Sequence, residues 1–541
     1  MSGIGIVAGL LNGDFQAPLV SHESFHLYNC SADAIRWPTL HGAEITSLQA
    51  SLVQDFAIRE LSPIQDTHAN VYTGPLNFCN VTVTHTHPGQ HDRVSTQIWL
   101  PLSPEWNERM KAVGGGGWIA GMHPGLDMSM ANAISTGYAA VTTDGGLPGP
   151  TPEEWAILSP GNINLYTLQN FASVSLNDAA IVGKSIIHAF YGQYPEYSYW
   201  SGCSQGGRQG LMLAQRYPKA FDGIVANAPA INWNEFFIGG LFLQQLMNEL
   251  RVHPYPCELD ALTSAAINEC DYKDGLVDGI ISYPELCDFD PYTHVESPVY
   301  CADTGTTRPI STAAAAVAHA AWTGARGSNN EFLWYLPGFE ANLTSPLSLA
   351  QTVCGANGCT GIPQGILYPW LTLFIKRNES FDFSKMTRRE FESAFHTGVR
   401  EFESIMGSNY PDLRDFRDTG GKMVTYHGLA DPIIPSNGTR HYYEAVMRTD
   451  PHTHDYYRLF ESPGLGHCAG GPGAFPTGIF NALVRWVEHG EVPEYLEATS
   501  FPDDNGNVKE RILCPYPKRA KYTGKNGANS FDSFDCVDWV P

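Results

Sequence analysis

Gly202-Cys203-Ser204-Gln205-Gly206 is a G-x-S-x-G pattern set between the apolar run Tyr197–Ser201 and the helix-forming stretch Arg208–Tyr217. Strand, sharp turn and helix in that order suit a serine held out for nucleophilic attack. Glycines two residues to either side let strand and helix approach closely, and the helix N-terminus aims backbone N–H groups at developing negative charge. A serine hydroxyl is a poor nucleophile without a neighbouring base, so an acid and a histidine must follow, in the chain order Ser, Asp, His for this kind of turn. Asp431 lies just beyond the strand-like run Lys422–His427, where catalytic groups of open α/β sheets belong, although an Asp-Pro turn would look the same. His467 follows the run Tyr456–Phe460 in the glycine-flanked loop Pro463–Cys468. Ser204, Asp431 and His467 are thus the candidate nucleophile, orienting acid and general base. His427 is the local rival for the base, but it precedes the acid.

An oxyanion hole needs two donors. The backbone N–H of Gln205 is the first, and Gly116 or Gly117 of the run Gly114–Gly117 is the candidate second. Asp144-Gly145-Gly146 is the rival loop and reads first as a plain turn. Cysteines flank the chemistry: Cys203 precedes Ser204 and Cys468 follows His467. A disulfide requires Cα atoms about 4.4–6.8 Å apart, so a Cys203–Cys468 bond would hold nucleophile and base together.

The elements that must position these groups follow from periodicity. Asn80–His85 and Val94–Leu100 alternate as strands, Met110–Val113 runs into the glycines, and Tyr138–Thr143 reads as a short buried strand. Leu176–Tyr191 has helical spacing, and strand, helix and strand recur at Tyr197–Ser201, Arg208–Tyr217 and Phe221–Ala226. The pattern predicts a mostly parallel sheet covered by helices, in the α/β-hydrolase fold class. Alternation lapses near Ala230 and resumes with Lys422–His427, Tyr456–Phe460 and Ile479–His489. The expected division is a catalytic domain of residues 1–229 and 410–541 with a large lid domain, 230–409, inserted between its halves.

Composition bounds the rest. The chain has 541 residues, 43% hydrophobic, enough to bury a large core. A net charge of −24 repels phosphate backbones and argues against a nucleic-acid partner. Twelve cysteines with no CxxC pair point to disulfides, and sequons at Asn29, Asn80, Asn342, Asn378 and Asn437 agree with an oxidising secretory route. A secreted, extracellular glycoprotein is expected. The apolar run Gly3–Leu11 lacks the basic n-region and cleavage site of an ordinary signal. No stretch approaches the roughly 18–20 apolar residues of a membrane span, so no membrane partner is expected.

Asp271, Asp274 and Asp278 place three carboxylates within eight residues, with glycines after the second and third. Hard oxygen ligands on a tight loop suit calcium, but the spacing is not that of an EF-hand, and two plain Asp-Gly turns account for it equally.

The set Cys203-Ser204, Asp431 and His467-Cys468, with GCSQGGRQG at 202–210 and this acidic loop, resembles the fungal tannase and feruloyl esterase family over about residues 25–541. Bacterial terephthalate-monoester hydrolases look like relatives of the same fold. The resemblance implies a carboxylic ester hydrolase acting on aromatic-acid esters, with a lid between nucleophile and acid. It implies structural Ca2+ on the carboxylates of Asp271, Asp274 and Asp278 and the carbonyls of Leu276 and Ile280, bracketed by Cys270 and Cys287. It also suggests Cys30–Cys79 and Cys514–Cys536; Cys354–Cys359 follows from proximity and Cys257–Cys301 from elimination, the sequence by itself leaving connectivity open. No organic cofactor is expected. The expected partner is a small aromatic ester or a phenolic ester of the plant cell wall, feruloyl and galloyl esters standing nearly equal. A calcium-binding, non-catalytic cell-wall interaction protein on a hydrolase scaffold is the alternative.

Overall fold

The computed structural model describes residues 29–57, 74–102, 105–355, 358–503, 505–525 and 527–539; the apolar run Gly3–Leu11 lies outside them. Nine strands form one sheet: β1 (Glu44–Phe56), β2 (Leu76–Thr86), β3 (Val94–Pro101), β4 (Arg109–Val113), β5 (Ala139–Thr143), β6 (Tyr197–Cys203), β7 (Gly223–Asn227), β8 (Lys422–Gly428) and β9 (Tyr457–Ser462). Their spatial order is β1-β2-β3-β5-β4-β6-β7-β8-β9. From β5 to β9 neighbours run parallel. On the other side β1, β2, β3 and β5 pair antiparallel. The loop from β2 to β3 is too short for the crossover of a dozen or more residues that a parallel partner needs.

The parallel strands are buried on both faces, and side-chain alternation assigns each residue to one face. Trp200, Ile224 and Met423 join a cluster with Leu176, Ile186 and Leu211 from the helices Ser175–Tyr191 and Gln205–Arg216. Tyr199, Val225 and Val424, one position along, pack with Ile134, Leu483 and Trp486 from the helices Asp127–Ser135 and Ile479–His489.

β7 and β8 are hydrogen-bonded neighbours, with Gly223 opposite Lys422, yet the long segment 228–421 separates them in sequence. Among its described residues that segment adds no strand to the sheet. Its buried Trp233, Phe237, Trp370 and Phe374 form one continuous cluster with Trp118, Trp155 and Phe171 of the flanking unit.

At the end of β9, Glu461 is buried between Arg440 and Arg519, and both arginines also bond Glu285 in the insertion. Burial works against the Glu461 charge, but the two guanidinium groups outweigh it and hold the carboxyl down at about 2. A folded-state value below the ordinary one contributes stability that is complete above about pH 4.3 and is lost as pH falls toward 2, on the order of 3 kcal/mol. Glu461→Gln should therefore lower the melting temperature at pH 6 and flatten its fall between pH 5 and pH 3, read by calorimetry across that range.

Candidate active site

Ser204 sits between β6 and the helix Gln205–Arg216 with φ 63° and ψ −120°, left-handed backbone that a serine adopts only under strain. Close approach explains the glycines beside it. A Cβ on Gly202 would lie 2.5 Å from the Gly206 carbonyl carbon, and one on Gly206 would lie 3.0 Å from the Gly115 oxygen. The turn is tied down at both ends: Ser204 N–H donates to Asn227 O at 3.0 Å, and Ala230 N–H donates to Ser204 O at 3.1 Å.

Asp431 is buried in the loop after β8. One carboxylate oxygen accepts from the N–H groups of Ile433 and Ile434 at 3.0 and 2.9 Å. The other lies 2.7 Å from His467 Nδ1 and 3.2 Å from His427 Nε2. Burial opposes its charge, but the His467 charge and the hydrogen bonds from both histidines hold the carboxyl well below the usual carboxylate range. His427 itself is fully buried, its Nδ1 2.8 Å from Thr439 Oγ1 and its Nε2 3.1 Å from Ile434 O. It braces the acid from behind, while His467 lines the same cleft as Ser204.

Gly117 lines that cleft too, with φ 57°. The neighbouring amides are committed, Gly114 N–H to Ser201 O and Gly115 N–H to Gln209 Oε1, both at 3.0 Å. Gln209 also donates to Ala120 O at 2.7 Å, so one side chain pins the glycine loop from both sides. The rival loop closes on itself: Asp144 Oδ1 accepts from Gly146 N–H at 2.7 Å and Ser95 N–H at 2.8 Å.

The cleft, about 330 Å³, is otherwise apolar: Ala230, Trp233, Phe236, Phe237, Ile366 and Ile433 lie along it. Trp233 stacks on Phe237 at 3.7 Å between ring centroids. Arg208 is buried beneath, 5.6 Å from the Trp233 ring, and donates to Gln205 Oε1 at 2.7 Å and to the carbonyls of Ala172 and Phe171. Burial pulls its guanidinium down to about 9. A larger cavity of about 620 Å³ beside the C-terminal end of β9, lined by Tyr283, Glu461 and Arg519, contains none of these groups and no histidine.

The six disulfides are Cys30–Cys79, Cys203–Cys468, Cys257–Cys301, Cys270–Cys287, Cys354–Cys359 and Cys514–Cys536. The Cα atoms of Cys203 and Cys468 are 6.0 Å apart, and Tyr426 OH donates to Cys468 O at 2.5 Å. The sequons at Asn29, Asn342, Asn378 and Asn437 are exposed, whereas Asn80 is half-buried within β2.

On the acidic loop the carboxylates do not converge. Asp271 accepts from Asp278 and Gly279 N–H, Asp274 accepts from Leu276 and Ser282 N–H, and Asp278 pairs with Arg511. Asp278 Oδ1 is nevertheless buried without a hydrogen-bond partner among the described residues. Glu340, half-buried nearby, is pushed up to about 8 by burial, against the bonds it accepts from Ile281 and Gly464 N–H, with Asp278 and Asp274 adding to the rise. Each bonded carboxylate oxygen keeps a second lone pair, so this all-oxygen, negatively charged set fits a hard cation.

Sequence reasoning missed the bracing by His427, the pinning role of Gln209 and the buried Arg208. The last two lie within GCSQGGRQG, and their helical spacing from Ser204 was the available signal.

The family model described as tannase and feruloyl esterase matches residues 79–537. A probable feruloyl esterase of Arthroderma benhamiae is 38% identical, covering 94% of each chain. The mono(2-hydroxyethyl) terephthalate hydrolase of Piscinibacter sakaiensis is 29% identical over 81% of each. Among solved structures, the tannin acyl hydrolase of Aspergillus niger superposes with a TM-score of 0.83 at 27% identity over 94% of each chain. The chain belongs to the tannase and feruloyl esterase family of carboxylic ester hydrolases.

Proposed function

We propose that this chain is a secreted serine esterase that hydrolyses esters of phenolic acids through an acyl-enzyme on Ser204. Ser204 Oγ attacks the ester carbonyl while His467 takes its proton, forming a tetrahedral intermediate whose oxyanion meets the N–H groups of Gln205 and of Gly117 or Gly116. Collapse breaks the bond to the alcohol, which leaves with the proton from His467. Water then attacks the acyl group by the same route and frees the acid. Asp431 holds the His467 tautomer and stabilises its charged form. The observation that carries the reading is the shared cleft, with Ser204 and the Asp431-paired His467 at one end and Trp233, Phe236 and Phe237 beside them. Segment 228–421 supplies that aromatic wall, which supports reading it as the lid. Six disulfides support secretion, and among the described residues no helix is long and apolar enough to cross a membrane.

Within phenolic acids the wall favours feruloyl over galloyl esters. Burying a hydroxyl without a partner costs about 1–3 kcal/mol, and gallate brings three hydroxyls to a lining that offers few polar groups away from the catalytic end. The 38% identity to a probable feruloyl esterase points the same way. Purified enzyme should give kcat/KM on methyl ferulate at least about tenfold above that on methyl gallate, since about 1.4 kcal/mol is one such factor. Equal values, or a preference for gallate, would overturn the assignment.

Calcium, held by the carboxylates of Asp271, Asp274 and Asp278 and the carbonyls of Leu276 and Ile280, would offset carboxylate charge beyond what Arg511 offsets at Asp278. The Glu340 carboxylate links the loop, through Ile281, to Gly464 at the base of the His467 loop. EGTA should lower the melting temperature and also reduce kcat, with calcium restoring both. An unchanged melting temperature with no calcium in elemental analysis would return the loop to two plain turns.

A further inference from the structure

β2 ends at His85-Thr86 and His87 follows directly; residues two apart along extended backbone project to the same side. Asp178, in the first turn of the helix Ser175–Tyr191, meets them there. Its Oδ2 lies 3.2 Å from His87 Nε2 and 3.6 Å from His85 Nε2, and among the described residues these three form the one trio of possible metal ligands with all donor atoms within 4.8 Å of one another. All three residues are buried, His85 completely.

The hydrogen bonding makes this more than proximity. Asp92 Oδ1 accepts from His87 N–H at 2.7 Å and from Thr86 Oγ1 at 3.0 Å; its Oδ2 accepts from Asn170 Nδ2 at 2.8 Å and lies 2.6 Å from His87 Nδ1. So placed, Asp92 takes the Nδ1 proton of His87 as a hydrogen bond and leaves the Nε2 lone pair facing the Asp178 carboxylate. Two acceptors face to face need a cation between them. A second proton on His87 would serve that pair but would leave His85, whose two ring nitrogens are buried with no hydrogen-bond partner among the described residues. A divalent metal gives all three groups a partner together, His85 through one of its ring nitrogens. At metal–ligand distances of about 2.0–2.1 Å, tetrahedral ligand atoms stand about 3.3 Å apart, close to the separations from Asp178. The carboxylate–histidine–metal relay through Asp92 is the outer-shell arrangement that orients a histidine ligand.

We propose that His85, His87 and Asp178 form a binding site for a borderline divalent transition metal, zinc being the best match, with Asp92 fixing the His87 tautomer and a water completing the coordination. Two imidazoles and one carboxylate select zinc, cobalt or nickel over calcium, so the site is chemically distinct from the acidic loop. It joins the antiparallel wing of the sheet to the helix that precedes β6, and its role is structural.

The test uses the full-length disulfide-bonded protein, stripped with a chelator, exchanged into calcium-containing buffer and titrated with Zn2+ or Co2+. One equivalent should bind per chain, Co2+ should show the intense visible bands of four-coordinate cobalt, and Zn2+ should raise the melting temperature. His87→Gln and His85→Gln, checked by circular dichroism, should each lose the stoichiometric metal and the cobalt bands, while Asp278→Asn should keep both. If the folded wild-type protein takes up no Zn2+ or Co2+ at micromolar concentration, the proposal is wrong and His87 is an imidazolium between two carboxylates. Stoichiometric binding that persists in the histidine variants would equally overturn it, by placing the metal elsewhere.

Discussion

Ser204→Ala should reduce kcat on a phenolic ester by on the order of a millionfold and leave the fold intact, because nucleophile and base act as one unit and removing either forfeits nearly all of their joint effect. His467→Ala should cost about as much. Asp431→Asn should cost on the order of ten-thousandfold, by losing the charge and hydrogen bond that hold His467 in its working tautomer. His427→Ala should cost far less than His467→Ala, because His427 is buried behind the acid and does not line the cleft. The checks are initial rates with circular dichroism for each variant. A His427→Ala protein more impaired than His467→Ala would transfer the base to His427.

The second large effect concerns the bond between Cys203 and Cys468. It closes a loop of 265 residues, which in the chain-entropy account stabilises the fold by roughly 5 kcal/mol. Position matters more to catalysis. The cystine joins the residue before Ser204 to the residue after His467, and a shift of about 1 Å between a nucleophile and its base can cost on the order of a hundredfold. The double variant Cys203→Ala with Cys468→Ala, which leaves no lone thiol, should lose about a hundredfold in kcat at a temperature where circular dichroism shows it folded. Other ties to the same loop, the Tyr426 bond to Cys468 O and the Glu340 bond to Gly464 N–H, should keep it from collapsing. A folded double variant with near-normal turnover would make the bond a staple with no positioning role.

What the sequence revealed and what it hid divide along physical lines. Ser204 was legible because its signal is local: the strand period, two glycines and a helix start lie within about twenty residues. His467 and Cys468 were legible because adjacency to a cysteine on each side of the cleft turned a distant pairing into a covalent one. The parallel strands β6 to β8 were readable as buried apolar runs. In the antiparallel wing the strands Asn80–His85 and Val94–Leu100 were readable but their pairing direction was not, since alternation marks a strand without stating its neighbour's direction. Trp233, Phe236 and Phe237 stood out only as aromatics in a long irregular segment; that they wall the cleft depends on the insertion folding back over Trp118. The trio of His85, His87 and Asp178 was hidden for the same reason, His87 and the carboxylate it meets standing 91 positions apart in sequence. Asp271, Asp274 and Asp278 were legible as a loop of oxygen donors, but which backbone groups they bond could not be read from spacing.

The central claim is that Ser204 carries the acyl group. A fluorophosphonate bonds covalently to a serine activated by its base and spares an ordinary hydroxyl, so digestion and mass spectrometry of inhibited enzyme test the claim directly. The account predicts one adduct per chain, on the peptide containing Gly202–Gly210 and localised to Ser204, formed in step with loss of esterase activity and absent from His467→Ala. Complete inhibition with the adduct on another residue, or full activity surviving stoichiometric labelling of Ser204, would contradict it.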